Sequence, residues 1–290
     1  GAHSHWQDLI LGVSLIDPAS LSDPVVRRAD GSYLYMLPSV IDDIDMGVTH
    51  VIRGEDHVTN SGVQIQMFEA LGAKPPALAH EALITGTEGA LSKRLGSAGM
   101  AHFREAGIEP VAIAALLARL GTSDSVEPAT SLDPLVEHFD FGHFGRSAAR
   151  FDEADLRQLN ARILHHLDYP AVADRLPPGM DAAAWEVLRP NLETVADAAD
   201  WWRVIEGPVA ASSEDADYLA LAADTLESLP WAPGVWSALT AALKAATGRK
   251  GKELFLPLRR ALTARDHGPE MAGLLLLIGR DRALARLRAR

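Results

Sequence analysis

Three short stretches carry the side chains most able to do chemistry. In Gly89-Ala90-Leu91-Ser92-Lys93-Arg94-Leu95-Gly96-Ser97, two cations sit between glycines. A lysine ammonium there can neutralise charge developing on a transferring phosphate; the same run is also what a plain surface turn looks like. In Thr49 to His57, Arg53 closes a buried, β-branched run and stands just before a helix. Open α/β sheets bind ligands at such strand ends. A guanidinium there either clamps a carboxylate with two parallel hydrogen bonds or pairs with Glu55 or Asp56. The third stretch runs from Asp30 through Tyr35 and Ser39 to Asp42-Asp43. Tyr35 either turns its hydroxyl to the same pocket or packs in the core. Asp42 and Asp43 suggest magnesium, but neighbours on a strand point to opposite faces, and no protein-bound metal is expected. No Gly-x-x-x-x-Gly-Lys-Ser/Thr phosphate loop occurs.

The elements that must hold these residues read as mixed strands and helices. Val25 to Arg28 and Tyr33 to Leu37 flank Asp30-Gly31, a hairpin signal. Val40-Ile41 and Thr49 to Ile52 read as buried strands. A helix is expected from Thr59 or Asn60, with Val63, Met67 and Leu71 on one face and Gly72 as its stop. A short strand follows near Leu83-Ile84, and strand–helix–strand order points to a parallel α/β sheet. Beyond residue 100 the pattern is helical: Pro110 to Gly121, then 153–166, 181–205, 214–228, 233–246, 253–264 and 269–278. In the last segment Leu284 and Leu287 are expected to dock, leaving Arg282, Arg286 and Arg290 in water.

Composition narrows the function classes. The chain has 290 residues, 48% of them hydrophobic and 23% charged, and no cysteine. Disulfides, thiolate zinc sites and a cysteine nucleophile are therefore excluded. No apolar run reaches the roughly 18 residues of a membrane span. Net charge is -12, yet residues 244–290 hold 12 basic and 4 acidic side chains. That basic segment on an acidic body either touches a polyanion or forms a solvated helix face.

Taken together, in this order, the three stretches resemble the second half of the catalytic domain of bacterial glutamyl-tRNA synthetases, class I enzymes. Arg27 to Ser32 followed by Tyr35 and Asp42-Asp43 is similar to a strand pair of that family, and Thr49 to His57 to its arginine-bearing segment. Ala90 to Arg94 stands in the place of the Lys-Met-Ser-Lys-Ser signature. The likeness continues through Phe139-Asp140-Phe141, Gly145-Arg146-Ser147, Ala149 to Asp152 and Leu159-Asn160, and into Leu256 to Arg259, Ala261-Leu262-Thr263, Gly268-Pro269-Glu270 and Leu277 to Arg280. It spans essentially the whole chain.

The resemblance implies a partial Rossmann-type α/β domain (1–98, with the signature loop), a helical stem-contact region (99–176) and a helical anticodon-binding domain (177–290). It implies Tyr35, Ser39 and Arg53 on L-glutamate, and Ala90, Leu91, Ser92, Lys93 and Arg94 as the ATP loop, with Lys93 on the phosphates. Ala90 replaces the first signature lysine, which removes one cation. ATP with Mg2+ is the implied substrate complex, tRNA(Glu) the acceptor, the cytoplasm the location and a monomer the state. The family's His-x-Gly-His tetrad is missing; His3 and His5 lack its spacing. Either the chain is a piece of a longer synthetase or it is a natural chain lacking that half. Two functions follow: glutamate–tRNA ligase, incomplete as this polypeptide alone, or a non-catalytic tRNA-binding module.

Overall fold

The computed structural model describes residues 4–86, 89–90, 99–211 and 214–289; Lys93 and its neighbours Leu91, Ser92 and Arg94 lie outside them. The chain divides into two compact units. One holds residues 1–103 with 110–156, the other 104–109 with 157–290.

The first unit opens with the antiparallel pair β1 (Ser4–Asp8) and β2 (Gly12–Ile16). A tight turn follows, held by Arg28 N to Ser32 O at 2.8 Å and by an Arg27–Tyr33 bridge. Gly31 supplies the positive φ of 89°. The expected second hairpin arm stops there, because α1 (Met36–Met46) takes over. Val40-Ile41 is thus helical, not strand. Leu37, Val40, Ile41 and Ile44 recur at helix spacing, Val40 is fully buried, and Gly47 at φ 67° ends the helix by donating to Asp43 O and Ile44 O.

Next comes a parallel βαβ unit: β3 (His50–Gly54), α2 (Val58–Ala70) and β4 (Ala77–Glu81). Its register sets Arg53 directly opposite His80. Leu9, just past β1, donates to Leu78 O of β4 at 2.9 Å. Strand β5 (Ile84–Gly86) lies between β6 (Gly89–Ala90) and β7 (Ala149–Arg150), antiparallel to the first and parallel to the second. The helical pieces in the sequence between are α3 (Met100–Glu105), α4 (Pro110–Leu117), with proline at its first position, and α5 (Asp133–Glu137).

Helix α6 (Glu153–Leu164) carries the chain into the second unit, which is helical throughout. There α7 (Ala182–Leu188) and α8 (Ala198–Glu206) are separate, where one helix over 181–205 was expected. Pro190 sits in the 3-10 turn Arg189–Asn191 that divides them; it lacks an N–H and crowds the preceding turn. Then come α9 (Ala216–Ser228), α10 (Val235–Thr247), α11 (Lys252–Thr263), α12 (Met271–Ile278) and α13 (Arg280–Arg288). Their core includes Trp185, Ile205, Leu226, Leu239, Leu243, Leu258 and Leu274, each fully buried.

Arg286 is a correction. It is buried, not wet, and donates to the carbonyls of Leu262 (2.7 Å), Val204 (2.7 Å), Ile205 (3.0 Å) and Gly207 (2.7 Å). Those oxygens end α8 and α11. Last-turn carbonyls lack intrahelical donors and carry the negative end of the helix dipole, so one cation satisfies both ends. Among the described residues no helix is long and apolar enough to cross a membrane.

Gly62 tests the packing of α2. A Cβ there would lie 2.8 and 2.9 Å from Ile16 side-chain carbons. Alanine normally gains about 1 kcal/mol over glycine in a helix, but overpacking costs about 1–3 kcal/mol. Gly62→Ala is therefore expected to lower the urea midpoint followed by circular dichroism; a higher midpoint would contradict this packing.

Candidate functional site

Helix α1 as far as Asp43, strand β3, one face of α2 and the Pro75-Pro76 segment leading into β4 line an open cavity of about 280 Å³. Tyr35, Ser39 and Arg53 all line it, so the three residues singled out in the sequence share one pocket. Tyr35 precedes α1 and keeps half its surface exposed, while its hydroxyl accepts from Asn60 Nδ2 at 2.6 Å. Ser39 lies one turn into α1 and accepts from Gln64 Nε2 at 3.0 Å. Ala90 falls on β6. The remaining loop residues, Lys93 included, lie outside the described residues.

Arg53 is half-buried. Its Nη1 donates to Gln64 Oε1 at 2.6 Å and Ser61 Oγ at 3.1 Å, and Nη2 lies 3.4 Å from His57 Nδ1. Among the described residues it has no ion pair with Glu55 or Asp56. The cation is thus anchored through neutral groups on one edge, while Nε has no hydrogen-bond partner among the described residues. Asp43 also lines the cavity. Burial raises its pKa and the Arg53 charge opposes that rise. Asp42 and Asp43 are helix neighbours rather than strand neighbours, and among the described residues no cluster of three metal-ligating side chains occurs.

Under Arg53 the polar contacts continue inward. Ser61 Oγ is 2.8 Å from His80 Nε2, and His80 Nδ1 is 2.5 Å from Asp8 Oδ2. Burial would raise the Asp8 pKa, but donors from Leu11, His80, Ile10 and Trp6 outweigh it, and the carboxyl titrates below its ordinary 3.8. These partners were not picked out in the sequence. A signal existed for some: His57, Asn60, Ser61 and Gln64 recur at helix spacing, a polar stripe beside the apolar Val63–Met67 face. Nothing local marks Asp8 or His80.

In the second unit much of the basic segment is internally paired. Arg249 bonds Asp215, Arg260 reaches Asp266 (2.7 Å) and Glu214 (2.8 Å), Arg282 reaches Glu206 (3.0 Å) and Arg288 reaches Glu227 (2.5 Å). Arg259 differs. Its Nη2 donates to Pro269 O at 3.0 Å, but Nη1 is buried without a partner among the described residues. It lines a cavity of about 450 Å³ with Lys252, His267 and the exposed ring of Phe255.

Comparison with known proteins agrees with both units. Residues 1–158 match the family described as tRNA synthetases class I (E and Q), catalytic domain, and residues 148–290 match the anticodon binding domain. Glutamate–tRNA ligase 1 of Rhizorhabdus wittichii is 65% identical over 286 residues, which is 98% of this chain and 65% of that protein. Glutamate–tRNA ligase 2 of Sphingopyxis alaskensis is 63% identical, over 97% of this chain and 65% of that protein. The chain thus spans just under two thirds of the length of these relatives. A crystal structure of a glutamate tRNA ligase from Elizabethkingia meningosepticum in complex with its amino acid superposes with a TM-score of 0.80 at 24% identity, covering 99% of this chain and 65% of that one. At that identity it shows the fold.

The depressed Asp8 pKa has a definite sign. Its stabilising contribution is present above the unfolded-state value of 3.8 and is lost as pH falls through the lower folded value. Urea unfolding from pH 7 down to pH 2.5 is expected to show Asp8→Asn less stable than wild type at neutral pH, with the gap closing below pH 3.8. A constant gap would mean that Asp8 is not held ionised by its donors.

Proposed function

The chain belongs to the class I tRNA synthetases of the E and Q family, and from that premise we propose that it is the glutamate-recognising and tRNA-binding part of an ATP-dependent glutamate–tRNA ligase. The observation that carries this reading is the Arg53 guanidinium. It is half-buried, held from behind by neutral groups, and opens with the Tyr35 and Ser39 hydroxyls into one small cavity. A cation so placed favours an anionic guest. Neutral glutamine would leave it with only Asp43 on the cavity wall, a carboxyl whose pKa burial raises, which is a basis for discrimination.

In the reaction, a carboxylate oxygen of glutamate attacks the α-phosphorus of ATP. The bond to pyrophosphate breaks and glutamyl-adenylate forms. A ribose hydroxyl of the tRNA end then attacks the acyl carbon and AMP leaves. Arg53, Tyr35 and Ser39 hold the side-chain carboxylate while the reacting groups meet. Lys93, in the loop Ala90-Leu91-Ser92-Lys93-Arg94, neutralises charge on the phosphates of the ATP–Mg2+ substrate. This chain spans 65% of the length of the glutamate–tRNA ligase it matches, and the reaction is written for a ligase of that full length.

The tRNA side of the function rests on Arg259. Arg259 lines one cavity with Lys252, His267 and the exposed Phe255 ring, a cationic and aromatic lining that suits an unstacked base. The paired arginines of the same segment contribute less, since their charge is already neutralised within the unit.

Two measurements test these assignments. Chemical-shift titration of the chain with L-glutamate is expected to move Arg53 and Tyr35, with glutamine much weaker; Arg53→Ala is expected to weaken glutamate roughly tenfold or more. Equal affinity for both amino acids would refute the glutamate site. For tRNA, Arg259→Gln is expected to cost about 1–3 kcal/mol with an unchanged salt slope, the mark of a base contact. A slope reduced by about one would make Arg259 a phosphate contact instead.

A further inference from the structure

We propose that Asp8, His80 and Ser61 are positioning residues, a buried hydrogen-bonded chain that sets the orientation and donor polarity of the Arg53 guanidinium. The inference deepens the glutamate-site reading and rests on it only for the identity of the guest. All three groups are sealed from solvent: Asp8 is 2% exposed, Ser61 1% and His80 0%. They come from β1, α2 and β4, while Arg53 comes from β3.

The direction of each hydrogen bond follows from what the atoms can do. Asp8 Oδ1 accepts the backbone N–H groups of Ile10 (3.0 Å), Leu11 (2.9 Å) and His80 (3.1 Å). Oδ2 accepts Trp6 Nε1 at 3.2 Å and faces His80 Nδ1 at 2.5 Å. A carboxylate surrounded by donors stays ionised and only accepts, so Nδ1 carries the imidazole proton. In the neutral ring Nε2 is then an acceptor, and the Ser61 hydroxyl, 2.8 Å away, donates to it. With its hydrogen committed inward, Ser61 Oγ turns a lone pair to Arg53 Nη1 at 3.1 Å. Every bond in the chain points the same way, from the guanidinium to a buried anion, and such aligned bonds reinforce one another.

The parallel register makes the chain possible. Arg53 and His80 are direct cross-strand neighbours, so their side chains share one face of the sheet. Ser61 bridges them from the helix above. Gln64, one turn further along α2, accepts from the same Nη1 at 2.6 Å. Both Nη1 hydrogens are thereby committed to the protein, while Nε has no hydrogen-bond partner among the described residues and Arg53 lines the cavity.

Asp8→Asn separates positioning from bulk. An amide that keeps its oxygen on the three backbone N–H groups presents its NH2 to His80 Nδ1. The ring then takes the Nε2–H tautomer, as when an amide replaces the buried aspartate of a serine-protease triad. Nε2–H drives the Ser61 hydrogen toward Arg53, setting donor against donor. In the 15N-labelled full chain, long-range proton–nitrogen correlation is expected to show His80 as Nδ1–H in wild type and Nε2–H in Asp8→Asn. The Arg53 Nε–H signal is expected to broaden or shift, and L-glutamate affinity to fall about tenfold. Ser61→Ala, which removes one hydroxyl, is expected to leave the His80 tautomer unchanged and still alter Arg53, and it decides the matter if Asp8→Asn fails to fold. A wild-type His80 protonated at Nε2, alone or together with Nδ1, or an Arg53 signal unchanged in folded variants, overturns the proposal. Should Arg53 respond while wild type binds no glutamate, the chain of bonds stands and the glutamate reading falls.

Discussion

A half-buried guanidinium with no ion pair among the described residues needs neutral oxygens to hold it, and that requirement organises the candidate site of the first unit. Burying a charge is expensive unless hydrogen bonds replace its water. Here Gln64 and Ser61 supply the replacement without cancelling the charge. Had Glu55 or Asp56 closed on Arg53, the pocket would be electrically quiet. The helix that carries Ser61 and Gln64 must sit close to β3 and β4, and Gly62 lets it pack closely against Ile16 of β2.

Much of this was legible in the chain before its coordinates, and the failures have physical causes. Thr49 to Ile52 reads correctly as strand because β-branching is local, but not as buried strand, since Ile52 is 49% exposed. The Val63–Met67–Leu71 spacing finds helix α2 but not its inner face, which holds Ile65 and Phe68 while Leu71 is exposed. Val40-Ile41 misled because two adjacent apolar residues fit either period; Leu37 and Ile44, one turn to each side, carry the helical answer. Pro190 splits 181–205 for a reason already present in the residue itself. Asp8 and His80 could not have been found in the same way. They are 72 positions apart and meet only through strand register, which composition and periodicity do not report.

The second unit handles its charges differently. Arg249, Arg260, Arg282 and Arg288 close ion pairs with acids from other parts of the chain. Most of these pairs are partly exposed, where each is worth little, but together they shrink the cationic surface that residues 244–290 advertise in the sequence. The basic run thus reads partly as internal stitching, and among the described residues Arg259 stands out by having a buried donor still unmet.

Arg286 bears on how the helical unit can be made. The carbonyls it satisfies at positions 204, 205 and 207 emerge from the ribosome about 80 residues ahead of it. Until position 286 follows, α8 has a ragged end in the nascent chain, open to water or to the wrong partner. Contacts of that sequence separation form late and slow folding. The end of α8 therefore becomes fully native only when a side chain from the last helix arrives.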